Sequence, residues 1–353
     1  MRKIVTSIFV VAVLMLAMTQ VTRAENYKLT VAAGHPPVFL WVKLTHEFLI
    51  PEIDKRLAPM GHKITWTEAY GGTVAKVGGV LEAIEEGIVD MGFVGTIFEA
   101  PKMPLQNVSY VSPFGSGDIA VVSGTIAKLQ KDIPAMGQAW TDNNQVFLGG
   151  AALDSYHLFT KFPVSKYEDL AGKKILAPGP TANWIKGTGG TAVAGNLTTY
   201  YNDIKTGVAD GVLTFTTGGW GSKVFEVAPH ITKINVGSQF AGGLSINKDV
   251  WDAFPADVQK VFQDVADEYS VRFAKGQQAA ANALLGKMVA AGAKVAEFDA
   301  GERTRWAKVI PNTAKLWAGK LDKDGKPGSE VLKRFMAELN ASGADVPRDW
   351  SAE

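Results

Sequence analysis

The side chains that do bond chemistry are few in this sequence, and their spacing does not suit it. His35, His46, His62, His157 and His230 are scattered and show no metal-ligand period. His46-Glu47 has no second His one helical turn on, so the zinc-hydrolase motif is absent. Gly115-Ser116-Gly117 is too short for a nucleophile elbow. There is no Cys, which removes thiolate metal sites, thiol nucleophiles, disulfides and a lipid anchor on Cys. Gly187-Thr188-Gly189-Gly190-Thr191-Ala192 has the letters of a dinucleotide fingerprint. It follows a helical stretch around Trp184 instead of a strand, so the context for a pyrophosphate fails. No paired carboxylates stand out. The expected class is a binding protein, not an enzyme, and no cofactor or metal is expected.

The remaining chemistry is recognition, and the amino terminus says where. Arg2 and Lys3 precede an apolar run from Ile4 to Met18, and Thr22-Arg23-Ala24 ends it on small residues. That is an export signal, with cleavage expected after Ala24 and the periplasm as destination. The run is shorter than the roughly 18 residues of a membrane span. The whole chain carries 36 Lys and Arg against 35 Asp and Glu. The leader holds three of the bases and no acid, leaving a near-neutral body. Such a balance argues against nucleic acid or a polybasic membrane surface as partner.

The elements that must position a site read as α/β. Tyr27–Ala33 is predicted as a strand, followed by a Gly34-His35-Pro36-Pro37 turn. A helix from Trp41 to Leu57 and a strand over Lys63–Glu68 come next. An echo follows. Leu81-Glu82-Ala83-Ile84-Glu85-Glu86-Gly87-Ile88-Val89-Asp90 leads into Met91–Val94. Tyr201-Asn202-Asp203-Ile204-Lys205-Thr206-Gly207-Val208-Ala209-Asp210 leads into Val212–Phe215. Both read as a helix that ends at a sheet edge and is closed by Gly, followed by an apolar residue, Asp and a short strand. Either two lobes are built alike, or one common connection occurs twice. From Pro255, the stripe Val258, Val261, Phe262, Val265 and Tyr269 has helical period and runs on to about Ala291. Helices are predicted over Gly301–Leu321 and Ser329–Asn340.

Four stretches carry a resemblance. Asp169-Leu170-Ala171-Gly172-Lys173-Lys174-Ile175-Leu176-Ala177-Pro178 resembles D-L-x-G-x-K-I-R-x-P. Tyr201 to Gly211 resembles Y-x-A-L-x-T-G-x-V-D-G. Pro255, Asp257 and Gln259 match the opening P-x-D-x-Q of a long helix. Gly71-Gly72, Leu81-Glu82-Ala83, Gly87 and Asp90 match as well. The chain resembles the substrate-binding proteins of tripartite ATP-independent periplasmic (TRAP) transporters, the family of the C4-dicarboxylate receptor. The resemblance implies a two-lobed α/β periplasmic binding fold. Each lobe would hold a mixed, mostly parallel sheet flanked by helices, with a long C-terminal helix spanning both. Residues 1–24 are the leader, 25–152 plus about 240–285 the first lobe, and 153–239 plus about 286–353 the second. It also implies lobes that close on a small organic solute and delivery to the membrane subunits of an ion-driven permease. A periplasmic sensor or an enzyme reusing the fold is the alternative.

One departure bears on the ligand. The family's Arg, which forks a ligand carboxylate, is Leu176 here. A second Arg of the sialic-acid branch is Tyr156, and a common Asn at the next strand end is Thr214. No Arg occurs between Arg56 and Arg272, and Lys161 and Lys174 look solvent-facing. A carboxylate buried without a partner costs several kcal/mol. The expected ligand is therefore not an Arg-clamped dicarboxylate. Tyr156, Trp184, Phe215 and Trp220, with Asp154 and Glu99 nearby, suit a small organic cation through cation–π contacts. The same rings suit a neutral or aromatic solute by stacking. An acid held by Lys, backbone N–H groups or a metal remains open. Thr96 and Glu99 follow a strand end, where α/β ligands bind, although Glu99 also suits a helix cap. His35 sits in the turn after the first strand and either faces the cleft or holds the turn. Each aromatic residue is equally at home in a core.

Overall fold

The computed structural model describes residues 25–352, so the predicted leader lies outside the described residues. The first four strands are β1 (Asn26–Ala32), β2 (Lys63–Ala69), β3 (Met91–Gly95) and β4 (Gln145–Leu153). The next are β5 (Tyr156–Thr160), β6 (Lys174–Leu176), β7 (Thr191–Val193), β8 (Gly211–Phe215) and β9 (His230–Lys233). The last are β10 (Gln239–Asn247) and β11 (Lys294–Glu297). They form two sheets, in the orders β2-β1-β3-β10-β4 and β11-β9-β5-β8-β6-β7. In the first, β1 runs parallel to β2 and β3, while β10 is antiparallel to β3 and β4. In the second, β5 is antiparallel to β8 and β9, and the pairs β6–β7, β6–β8 and β9–β11 are parallel. Each sheet, with its helices, is one lobe.

The echoed segments are the same device in both lobes. Helices Val80–Glu85 and Tyr200–Lys205 each end ahead of a left-handed Gly, at φ 69° for Gly87 and 83° for Gly207. A residue with a Cβ is disfavoured there. Asp90 then accepts the backbone N–H of Thr30 in β1, at 2.6 Å from Oδ2. Asp210 accepts that of Lys174 in β6, at 2.9 Å. Each carboxylate thus pins the strand it opens, β3 or β8, to a parallel neighbour. Those strands are interior to their sheets.

The long helix runs from Ala256 to Ala290, 35 residues, or roughly 50 Å at about 1.5 Å per residue. Pro255 precedes it with ψ 156°, the extended conformation of an N-cap. Its stripe of Val258, Val261, Phe262, Val265, Ala266, Tyr269 and Phe273 is buried in the large core cluster. Met288, near its far end, is buried with Phe159, Leu176 and Val212 of the second lobe. The helix therefore crosses from one lobe to the other. Among the described residues no helix is long and apolar enough to cross a membrane.

The predicted helix over 301–321 is two helices, Ala300–Val309 and Thr313–Lys323. Pro311 breaks it, because the ring removes an N–H and clashes with the preceding turn. Arg348 caps the first by donating from Nη1 to the carbonyls of Ala307 (2.8 Å) and Ile310 (2.5 Å). With helix Gly328–Ala341, these helices lean on both lobes. Trp350 Nε1 donates to the Pro113 carbonyl (2.7 Å), and Arg334 pairs with Asp132 (2.6 Å). Trp306 Nε1 donates to the Trp184 carbonyl (2.8 Å).

Candidate ligand-binding cleft

A narrow cleft lies between the ends of the two sheets. Its first wall comes from the turn after β1 and the end of β3. His35 and Trp41 line it there, followed by Phe93, Ile97 and Phe98. The opposite wall comes from the second lobe: Tyr156 at the start of β5, Thr214 and Phe215 at the end of β8, and Tyr200, Leu197 and Pro178. Tyr110 closes the side.

Packing holds the rings in place. Trp41 stacks on Phe39, with centroids 4.8 Å apart and planes at 12°, and lies 5.9 Å from Phe93. Its carbonyl accepts from Thr45 Oγ1 and from Tyr269 of the long helix, each at 2.8 Å. Across the cleft Trp41 meets Phe215 at 6.3 Å, and Phe215 meets Tyr156 at 5.2 Å. The hydroxyls of Tyr156 and Tyr110 are 3.5 Å apart. Among the described residues lining the cavity there is no Asp, Glu, Lys or Arg. Burial lowers the His35 imidazole to a pKa of about 4, so it is neutral at pH 7. Burial likewise pushes the Tyr156 hydroxyl well above its ordinary value. The cavity is aromatic, uncharged and rimmed by hydroxyls and one imidazole. It is equipped to bind, and offers no activated nucleophile.

The profile of the bacterial extracellular solute-binding proteins, family 7 (DctP), matches residues 61–319, well over half the chain. The chain belongs to that family. It is the family that the motifs at Leu170–Pro178 and Tyr201–Gly211 suggested. No curated protein sequence matches the chain significantly. Solved structures agree on the fold. DctP7 of Bordetella pertussis, an extracytoplasmic solute receptor binding pyroglutamic acid, is similar at a TM-score of 0.75 and 19% identity. The match covers 87% of this chain and 99% of that one. A TRAP solute-binding protein of Rhodoferax ferrireducens with copurified benzoate gives 0.78 at 16% identity, covering 90% and 98%. One from Sulfitobacter with bound β-D-galacturonate gives 0.73 at 18%, covering 90% and 100%.

Within this family-7 receptor, the residues singled out by sequence fall into two groups. Tyr156, Thr214, Phe215 and His35 line the cavity. The others do not. Leu176 is fully buried in the second lobe's apolar cluster, beside Tyr200 and Val212. Trp184 stands behind Tyr156, its Nε1 spent on the Tyr110 carbonyl at 2.7 Å. Trp220 stacks on Phe225 at 5.3 Å. Thr96 is fully buried beside the cavity, between Gly95 and Ile97, which do line it.

The two acids are also elsewhere. Asp154 sits where β4 passes into β5. Its Oδ1 accepts from Thr217 Oγ1 (2.7 Å) and Gln277 Nε2 (2.9 Å), and its Oδ2 from the Thr217 N–H (3.2 Å). It ties the crossing strand to the long helix and faces a separate polar cavity at the rear with His157 and Lys233. Burial raises its carboxyl to about 6. Glu99 is buried, and its pKa is raised to about 7, first by burial and then by Glu82. The cation-box reading loses both of its anions to geometry.

Sequence reasoning missed Trp41, Tyr110, Phe93 and Tyr200. Trp41 was legible as a helix start, while Tyr200 lies one residue before the echoed segment read from Tyr201 and opens the observed helix. Nothing local marks Tyr110, which only tertiary packing brings to the cleft.

Proposed function

We propose that this chain is a periplasmic receptor that closes on a small uncharged solute and delivers it to a TRAP-type permease, without catalysis. The observation that carries the reading is the aromatic cavity between the lobes with no charged group in its lining. The binding residues are His35, Trp41, Tyr110, Tyr156, Tyr200, Thr214 and Phe215. The solute has an apolar ring or body to stack between Trp41 and Phe215, and polar groups for the rim. The lobes, 25–152 plus about 240–285 and 153–239 plus about 286–353, move about the crossings near Asp154 and Gly237. The long helix and the C-terminal helices brace them.

Magnitudes favour the neutral class. A cation in the cavity would meet ring faces, each worth about 2 kcal/mol when desolvated, and neutral hydroxyls, with no anion in the lining to offset the larger cost of burying a charge. A carboxylate has His35 as its one basic partner. Charging that imidazole at pH 7, from a pKa of about 4, costs about 4 kcal/mol. A ring-sized acid is the second reading, because the Bordetella and Rhodoferax proteins hold pyroglutamic acid and benzoate.

Thermal unfolding with benzyl alcohol, benzylamine, benzoate or succinate separates these classes. A ligand at 100 times its dissociation constant adds about 2.7 kcal/mol. Benzyl alcohol is expected to raise the melting temperature by several degrees while the two ions and succinate leave it unchanged. Stabilisation by benzoate or succinate alone overturns the neutral reading.

A further inference from the structure

Two polar atoms of the side chains that line the cleft have no partner. Trp41 Nε1 and His35 Nε2 are both buried, and neither makes a hydrogen bond. Both residues line the same cavity, and their rings stand perpendicular with centroids 5.3 Å apart. The aromatic neighbours of Trp41 are Phe39, Phe93, Phe215 and His35 itself. The three Phe rings offer only π faces. A buried donor left unpaired costs about 1–3 kcal/mol, and native proteins rarely keep two side by side without a use for them. The fold also holds this pair still. Tyr269 and Thr45 fix the Trp41 backbone through its carbonyl, and Phe39 packs against both rings.

We propose that Trp41 Nε1–H and His35 Nε2 are the polar anchor of the site, and that its ligand is an uncharged ring compound bearing a carbonyl or hydroxyl oxygen. The assignment deepens the neutral-solute reading and rests on it. An indole N–H only donates, so the ligand must present an acceptor, which excludes an ammonium at this point. Neutral imidazole donates or accepts according to its tautomer. A carbonyl oxygen accepts from both rings. A hydroxyl accepts from Trp41 and donates to His35. Either way, one oxygen on the first lobe satisfies both nitrogens, while Phe215 and Tyr156 of the second lobe close over the ring. That division would make recognition depend on both lobes, as a closing receptor requires.

Acetophenone, 1-phenylethanol and ethylbenzene share a skeleton and differ in the oxygen. Calorimetric titration is expected to show the two oxygenated compounds binding at least tenfold tighter than ethylbenzene, about 1.4 kcal/mol. Trp41→Phe and His35→Phe keep a ring in place and are each expected to abolish that ratio. In wild-type protein the Trp41 indole ¹⁵N–H resonance, assigned by triple-resonance spectroscopy, should move downfield with acetophenone and stay put with ethylbenzene. This readout also stands if one variant fails to fold. Equal binding of all three compounds, an unmoved resonance, or a ratio that survives both variants overturns the anchor and leaves the neutral reading in place. Binding of benzoate with none of the three overturns both.

Discussion

Leu176 stands where the family places a guanidinium, and its surroundings are those of a core. It is fully buried with Phe159, Tyr200 and Val212, and a Cβ on Gly195 would come within 2.9 Å of its Cδ2. There is no room there for a charged fork, and no lining residue supplies the lost charge elsewhere. Glu99 shows the same aversion to charge. Its carboxyl is raised from 4.5 to about 7, mainly by burial. Between those values the folded chain holds a proton that the unfolded chain releases. The associated stability is therefore full below about 4.5 and lost as pH rises through about 7. Glu99→Gln fixes the neutral form. Urea unfolding is expected to show it more stable than wild type at pH 8, by at most about 3 kcal/mol, with most of the gain gone at pH 5 and all of it at pH 3.5. An equal offset at all three pH values would contradict the burial argument. Substitution by Leu at position 176 was legible in the sequence. That Trp184 and Trp220 pack behind the wall was not, because an aromatic side chain in an α/β lobe serves a core or a site with the same local pattern.

At the scale of elements, local signals located the helices and the parallel strands well. Gly87 and Gly207 capped what they were expected to cap, and Pro255 opened the long helix. The signals failed where the deciding contact is distant. β10 inserts between β3 and β4, pairing Leu244 with Phe93 and Gly149, residues far away in sequence. No local pattern encodes that register. The helix from Leu40 to Leu57 also contains a π-helical stretch, Thr45–Leu49, which begins one turn after Trp41. Such bulges gather at functional sites. The short helix Thr216–Gly221 presses on the first lobe at one point: a Cβ on Gly221 would fall 2.7 Å from a ring carbon of Phe39. The contact joins residues of different lobes, so a side chain there opposes their approach and presses on Phe39, which packs against His35 and Trp41. Gly221→Leu is expected to weaken binding of the stabilising solute at least tenfold, measured by calorimetry. The melting temperature of the unliganded protein should stay within about 2 °C. Unchanged affinity would mean that this contact is not part of the closed state.

At the scale of the whole molecule, the lobes are joined by the β4–β5 crossing at Asp154 and Ser155, the β9–β10 crossing and the long helix. Asp154 bonds to Gln277 on that helix and to Thr217 two residues after Phe215, so the hinge and the cavity wall share one hydrogen-bonded node. Closure can then read ligand contact directly, without a relay through the sheets. The two-lobed plan was legible from the echoed α/β segments and the family motifs. The way the C-terminal helices brace both lobes was not, because Trp306 and Trp350 find their partners, the Trp184 and Pro113 carbonyls, only in the folded state. The most direct measurement is a crystal structure of the protein with acetophenone or another neutral compound that stabilises it. The account predicts density for an uncharged ring between Trp41, Phe215 and Tyr156, with its oxygen within hydrogen-bond reach of Trp41 Nε1 and His35 Nε2. A charged ligand in that cavity, or the compound lodged in the rear cavity with Asp154, His157 and Lys233, would contradict it.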